Sequence, residues 1–392
     1  MENQSYLRDL KGFPKDITDS VESPCFLINE GLLKDNLEIL SSVKKRTGAK
    51  ILLALKAFAM HSTFPLIRRY LDGVCASGPI EARLGFEKFG KSVHTFSPAY
   101  SDIGMRDVIK YSDAIIFNSI RQWKKYRGLI SKSRKKIEVG LRVNPGHSEV
   151  ENGLYNTTLA GSRLGILPHD LEGLNLEGID GLHFHALCEQ NSDALVNVLK
   201  SFEKNYGKHI QNMKWVNFGG GHHITRRGYD IGLLVKTLNN FREKYGVTVY
   251  LEPGEAVALN AGVLVATVLD IVHNEIDIAI LDTSAEAHMP DVLAMPYRPR
   301  IIGAEEPGKL RHTYRIGGLT CLAGDVIGDY SFARELVPGD RLVFLDMAHY
   351  SMVKTTMFNG IRHPSIILYD PGHKSVKVVR RFGYGDYKNR LS

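Results

Sequence analysis

The chain has 392 residues, more than one ordinary core accommodates, so a large α/β domain accompanied by a second domain is the starting expectation. Hydrophobic residues make up 43% and charged residues 24%, which are the values of a globular protein. Lys and Arg total 50 against 43 acids, a net charge of +7, and the densest basic run, KSRKK at 132–136, has no aromatic residues between its charges, so it reads as a solvated face and no nucleic-acid partner is expected.

The N-terminal stretch MENQSYLRDLKGF lacks the apolar core of a secretory signal. SPCFLIN reads as a short strand, and EGLLKDNLEILSSVKKRTG as a first helix. Apolar, β-branched runs then recur near 51–57, 73–77, 92–97, 114–118, 137–143, 181–187, 215–219 and 248–252. Between them lie segments with apolar residues at helical spacing, among them FPLIRRYL, IEARLGFEKFG and LLVKTLNNFREKYG. Eight strands separated by helices predict a (β/α)8 barrel over residues 30–265. A doubly wound parallel sheet is the alternative that periodicity leaves open. After about residue 265 the rhythm changes to strand-like runs with Gly, Pro and Asp turns: VLVATVLDIV, DIAILDTS, HTYRIGG, DRLVFLDM, SIILYD and SVKVVRRF. They predict a mainly β domain, sandwich- or barrel-like, over 266–392, with residues 1–29 adding a strand to it. The most apolar region, VALNAGVLVATVLDIV, is interrupted by Asn260 and Asp270, so no membrane span is expected. Cys25, Cys75, Cys188 and Cys321 are scattered, without CxxC or zinc spacing, which points to a reduced, cytoplasmic protein with no metal.

Barrel enzymes carry their chemistry at the C-terminal ends of the strands. Lys56 ends the first predicted strand, Arg142 and Asn144 the fifth, His183 and His185 the sixth, GGGHH the seventh and EPGE the eighth. Each has an ordinary reading. A lone lysine snorkels to water, a glycine run is a turn, and a histidine sits satisfied in a core. Together they make the parts of a pyridoxal 5′-phosphate site: a lysine amine that bonds the cofactor, glycine amides for its phosphate, a carboxylate that keeps the ring nitrogen protonated, and an imidazole against the ring.

The motifs LALKAF, SRLG, GLHFHALCE, NFGGGHH, LEPGEA, AHMPDVLAMPY, CLAGDV and AHYSMVKTTMFNG run through nearly the whole chain. Through them it resembles the fold-type III pyridoxal phosphate decarboxylases, the group of ornithine, arginine and diaminopimelate decarboxylases and alanine racemase. Within that group it is most similar to the enzymes that decarboxylate carboxylated polyamines. The resemblance implies that Lys56 holds the cofactor, that His185 stacks on its ring and that Glu252 pairs with the ring nitrogen. It implies that Gly219, Gly220, Gly221 and Tyr350 bind the phosphate, and that Arg142 lies near the cofactor. It further implies a homodimer with shared active sites, in which Cys321 reaches in from the other subunit to protonate the substrate carbon and Asp325 lies at that boundary. One departure stands out: where ornithine and diaminopimelate decarboxylases carry Arg after EPG, this chain has Glu255. A carboxylate repels phosphate, so Glu255, with Asp291 and Asp325, is expected to bind a cationic substrate. The alternatives are another decarboxylase of the same fold, of diaminopimelate or ornithine type, and a homologue that binds the cofactor without catalysis.

Overall fold

The computed structural model of the protein describes residues 12–392, so residues 1–11 of the segment expected to join the β domain lie outside the described residues. The chain divides into two compact units. One is Asn36–Val257. The other joins Ala258–Ser392 to the described residues before Asn36. The expected boundary after residue 265 falls inside a strand, Gly262–Asn274, that belongs wholly to the second unit.

In the first unit eight parallel strands close into a barrel: Lys50–Ala54, Gly73–Ala76, Ser92–Phe96, Ala114–Phe117, Glu138–Arg142, Gly181–His183, Trp215–Asn217 and Thr248–Leu251. Closure is made by Lys50 against Tyr250 and Ile51 against Leu251. This rules out the doubly wound sheet, which has open edges. The strands read as continuous apolar runs because the barrel interior covers one face and helices the other. Trp215, 2% exposed, fills the interior over Gly181, where a Cβ would lie 2.1 Å from the indole ring. Two long helices show why they start and stop. Asn191 caps Ser192–Ile210 by accepting from the Ser192 N–H, and Asp230 caps Ile231–Tyr245 by accepting from the Leu233 N–H. The second of these ends at Gly246 in the left-handed conformation, φ +68°.

The structure shortens several predicted elements. FPLIRRYL is helical only over Phe64–Ile67, and IEARLGFEKFG breaks at Leu84 into a wider turn over Gly85–Phe89. The sixth strand stops at His183 instead of 187, because its partner strand ends at Asn217 and the ladder has nothing further to pair with.

The second unit is built on a nine-stranded sheet. The six strand-like runs predicted after residue 265 are all strands in it. Cys25–Asn29 pairs antiparallel with Gly262–Val265 and parallel with Ser365–Tyr369. Val326–Phe332 and Ala304–Glu305 are strands the sequence reading missed. Apolar clusters cover both faces of the sheet, one around Phe26, Leu264 and Phe344 and one around Cys25, Val263 and Ile367.

Each unit buries a neutral histidine. His94 is 2% exposed, and the Nδ1 of its ring has no hydrogen-bond partner among the described residues. His288 is fully buried, accepting from the Thr283 hydroxyl at Nδ1 (3.0 Å) and donating from Nε2 to the Arg362 carbonyl (3.1 Å). Burial pushes both down to about 4. In the unfolded chain they titrate near 6.5. The unfolded state therefore binds protons that the folded state refuses, so their contribution is complete above pH 6.5 and is lost as pH falls toward 4. Between pH 7 and 5, above the carboxylate range, each should remove roughly 2 kcal/mol of stability. The urea midpoint should fall over that interval, and His288→Gln should flatten the fall. A midpoint independent of pH there would show that neither ring is held neutral.

Candidate active site

Lys56 stands two residues beyond its strand. The Leu55 N–H still pairs with the Cys75 carbonyl (3.1 Å), and the N–H groups of Ala57 and Phe58 turn back onto the Ala54 carbonyl (3.1 and 3.3 Å). Leu55, Ala57 and Phe58 are fully buried while Lys56 is exposed. Its neighbours anchor the turn and the amine is presented at the barrel mouth. The described residues do not enclose the Lys56 side chain.

Glu252 follows the last barrel strand, with its N–H bonded to the Gly219 carbonyl (2.8 Å). Its Oε1 accepts from Asn217 Nδ2 at 2.7 Å, and its Oε2 lies 3.3 Å from His183 Nε2. Burial alone would raise this carboxyl. The charge and hydrogen bond of His183, the hydrogen bond of Asn217 and the more distant His94 outweigh burial and hold it down at about 2. Burial keeps His183 below the usual imidazole range, so at neutral pH it is a neutral donor to an ionised Glu252. Cys75 also faces Glu252. Burial and that carboxylate push its thiol well above the ordinary range, so it stays protonated.

His185 is fixed by the glycine run. The Gly220 N–H donates to His185 Nδ1 at 2.9 Å, which requires that nitrogen to be unprotonated. Burial, with the charges of Lys56 and Arg142, keeps the ring well below its usual range, in agreement with that bond. The run must be glycine. At Gly221, φ is +83° and a Cβ would stand 1.9 Å from the Leu187 carbonyl oxygen. The Gly219 N–H is taken by Asn217 Oδ1 (2.8 Å) and that of Gly220 by His185, so two of the three amides expected at a phosphate are engaged inside the site. Arg142 is buried at the end of its strand, 4.5 Å above the Phe96 ring and 3.4 Å from the His185 carbonyl. Phe96 in turn stacks on His183 at 5.7 Å. Burial lowers the guanidinium only to about 10, so it remains charged.

Glu255 begins a single helical turn, Glu255–Ala258, and its Oε1 lies 3.3 Å from His223 Nε2. Lys56, His185, Arg142, Gly219, Gly220, Gly221, Glu252 and Glu255 thus gather in the barrel unit. Sequence reading missed the groups around them: Asn217 and Cys75 at Glu252, and His223 and Glu189 beside Glu255. It noted His183 as a strand-end residue without giving it a task.

Tyr350, Asp291, Cys321 and Asp325 lie in the other unit. Tyr350 closes the turn from Asp346 with φ +51°, a conformation a non-glycine residue adopts only when its surroundings enforce it. Asp291 starts the helical turn Asp291–Ala294, and its carboxylate is paired with Lys354. Cys321 is exposed, and its N–H bonds Asn359 Oδ1 at 2.8 Å. Asp325 departs from expectation. It is 5% exposed, and its two oxygens accept from the Ser284 hydroxyl, the N–H groups of Ala285 and Glu286, and both the N–H and hydroxyl of Thr320. Five donors leave it no capacity for a substrate cation. Asp325 ties the Ser284–Glu286 turn to Thr320, the residue before Cys321.

These residues fit pyridoxal 5′-phosphate. A primary amine stands at the mouth for its aldehyde. An ionised carboxylate with two protein donors retains lone pairs for a protonated ring nitrogen. Beside them is a glycine bend over which no side chain can stand, with Gly221 the member of the run that neither Asn217 nor His185 engages.

The family described as pyridoxal-dependent decarboxylase, C-terminal sheet domain, matches residues 19–348. Carboxynorspermidine/carboxyspermidine decarboxylase of Campylobacter jejuni is 47% identical over 384 residues, covering 95% of this chain and 99% of that protein. Carboxyaminopropylagmatine decarboxylase of Synechocystis is 43% identical over 375 residues, covering 95% of this chain and 96% of its own length. The crystal structure of carboxynorspermidine decarboxylase complexed with norspermidine from Campylobacter jejuni is similar with a TM-score of 0.88 at 45% identity, over 94% of this chain and 100% of that one.

Proposed function

The chain belongs to the pyridoxal-dependent decarboxylases, and within that family we propose that it removes CO2 from carboxynorspermidine or carboxyspermidine, releasing norspermidine or spermidine. The observation that carries this reading is Glu255. An acid stands where relatives acting on amino acids carry Arg, and it suits a substrate whose chain beyond the reacting centre is cationic. The 47% identity to a decarboxylase of these two compounds supports it.

When bound, pyridoxal phosphate supplies an electron-poor ring that accepts the electron pair left as CO2 departs. The protein's part is positional and electrostatic. Lys56 would provide the amine that holds the cofactor until the substrate's own amine takes its place. Glu252, kept ionised by His183 and Asn217, holds a proton on the ring nitrogen. His185, neutral, would stand beside the ring without adding a charge that opposes that proton. Gly221 would hold the phosphate. Glu255 binds an ammonium group of the substrate. Cys321 gives its thiol proton to the carbon that has lost CO2, and solvent restores it. The roles expected of Tyr350 at the phosphate and Asp291 at the substrate belong to the same proposal; Asp291 would exchange Lys354 for the substrate's cation.

Cys321 acts from a second copy of the chain, in a cytoplasmic homodimer. Its setting supports this: Leu319 and Leu322 on either side of it are 44% and 42% exposed, and Phe358, beside Asn359, is 42% exposed. An apolar rim around a working thiol is a surface that a partner covers. The described residues contain no helix long and apolar enough to cross a membrane.

Side-by-side kinetics with carboxynorspermidine, carboxyspermidine, carboxyaminopropylagmatine, diaminopimelate and L-ornithine test the substrate reading. The first two should lead. A preference for diaminopimelate or ornithine would overturn it, and a preference for carboxyaminopropylagmatine would move the chain to the guanidinium-bearing branch. Glu255→Gln should keep its cofactor and lose roughly 1.5–3 kcal/mol of substrate recognition, on the order of 10- to 100-fold in kcat/KM. An unchanged kcat/KM would defeat the assignment. The shared site is tested by mixing inactive Lys56→Ala with inactive Cys321→Ala under subunit exchange. Half of the dimers become mixed and one of their two sites is whole, so about one quarter of the wild-type activity should return. No recovery after demonstrated exchange would place both residues in one subunit's site.

A further inference from the structure

His223 is buried, only 7% exposed, and among the described residues its ring makes no hydrogen bond. A buried imidazole left in this way is costly and calls for an explanation. Its Nε2 is aimed at Oε1 of Glu255, 3.3 Å away, but outside hydrogen-bond geometry. Glu189 completes a group of three: one donor atom from each of Glu189, His223 and Glu255 lies within 4.8 Å of the other two. Glu189 follows the strand Gly181–His183, His223 follows Trp215–Asn217, and Glu255 follows Thr248–Leu251. Three adjacent barrel strands therefore deliver the three donors to one place. No local spacing records this, which is why the sequence reading, looking for CxxC and similar motifs, expected no metal.

We infer that Glu189, His223 and Glu255 bind a divalent first-row transition metal ion. The distance between His223 Nε2 and Glu255 Oε1 is that of one edge of a coordination tetrahedron with bonds of about 2.0–2.1 Å. Glu189 is exposed, and one of its carboxylate oxygens already lies within 4.8 Å of the other two donor atoms. Two carboxylates offset the ion's double charge, and the imidazole selects for a transition metal over magnesium or calcium. Coordination also gives the His223 nitrogen, which makes no hydrogen bond among the described residues, an electrophile. Since Glu255 is the residue proposed for the substrate's ammonium, metal and polyamine exclude each other; this corollary, unlike the metal site itself, rests on that reading.

The test is a zinc titration of the metal-stripped, cofactor-loaded protein, followed by calorimetry and by competition with a chromogenic chelator. The wild type should take up one Zn2+ per chain. Glu189→Gln and His223→Ala should each weaken that binding by on the order of 10- to 100-fold. Near-ultraviolet circular dichroism checks the fold, and if His223→Ala unfolds, the exposed Glu189→Gln carries the comparison alone. No saturable zinc uptake by the wild type, or equal uptake by wild type and Glu189→Gln, overturns the site. Norspermidine added to the titration should raise the apparent Kd for zinc. If zinc binds in a Glu189-dependent way but norspermidine does not displace it, the metal site stands and the substrate role of Glu255 falls. If zinc does not bind while Glu255→Gln loses substrate recognition, the reverse holds.

Discussion

Lys56→Ala protein should fold, keep both units and lose all measurable decarboxylation. The turn it occupies is held by the buried side chains of Leu55, Ala57 and Phe58 and by their backbone bonds to Cys75 and Ala54. An exposed side chain that the turn does not use can be removed within about 0.5 kcal/mol of stability. The chemical loss has another scale. Removing the side chain that bonds covalently costs on the order of 10^6-fold in kcat where it has been measured in other enzymes. Borohydride should fix pyridoxal to the Lys56 peptide of the wild type and to no peptide of the variant. A reducible cofactor link that survives in Lys56→Ala would transfer the role to another lysine. A second signal is local: the Lys56 charge is among those holding His185 neutral, so the His185 pKa should rise in the variant, though burial still keeps it low.

The barrel was legible because parallel strands buried on both faces leave plain apolar runs, and all eight lie where such runs stand. Their ends were not, because a strand stops where its ladder stops. Residues 184–187 continue the apolar pattern, yet the neighbouring strand has already ended at Asn217. In the β unit, VIGDYSF is absent from the predicted strands, and its central Gly and Asp interrupt the apolar run. In the structure Asp329 faces Arg315 across the ladder and binds its guanidinium with both oxygens. Lys56, His185, the glycine run and Glu252 were legible as unusual residues at strand ends. Asn217, Cys75, His223 and Glu189 were not, because their tasks come from side chains on neighbouring strands. Asp325 shows the opposite failure. A sequence cannot separate an acid that awaits a ligand from one whose oxygens five donors already fill.

Glu252→Gln tests the electronic core of the site and should be nearly as damaging as a lost ligand, with little change in shape. The amide can keep the Asn217 bond through its oxygen and offer its NH2 to His183. That ring can accept, because its Nδ1 has no partner and is able to take the proton that Nε2 gives up. What glutamine cannot supply is a negative charge, so nothing holds a proton on the ring nitrogen as the substrate carbon becomes electron-rich. Losing one such preorganised interaction costs about 10^2–10^3-fold, or roughly 2.7–4 kcal/mol. Because the charge matters in the transition state and not in substrate binding, kcat and kcat/KM should fall together while KM stays close to wild type. An independent readout comes from acid stability. The Glu252 carboxyl sits at about 2 in the fold and near 4.5 in the unfolded chain. Its contribution is therefore present above pH 4.5 and is lost as pH falls toward 2. Glu252→Gln should remove up to one proton from the slope of the acid unfolding curve in that window. A variant with wild-type kcat would show that the ring nitrogen is not served by Glu252, and an unchanged acid slope would show that the carboxyl is not held ionised by His183 and Asn217.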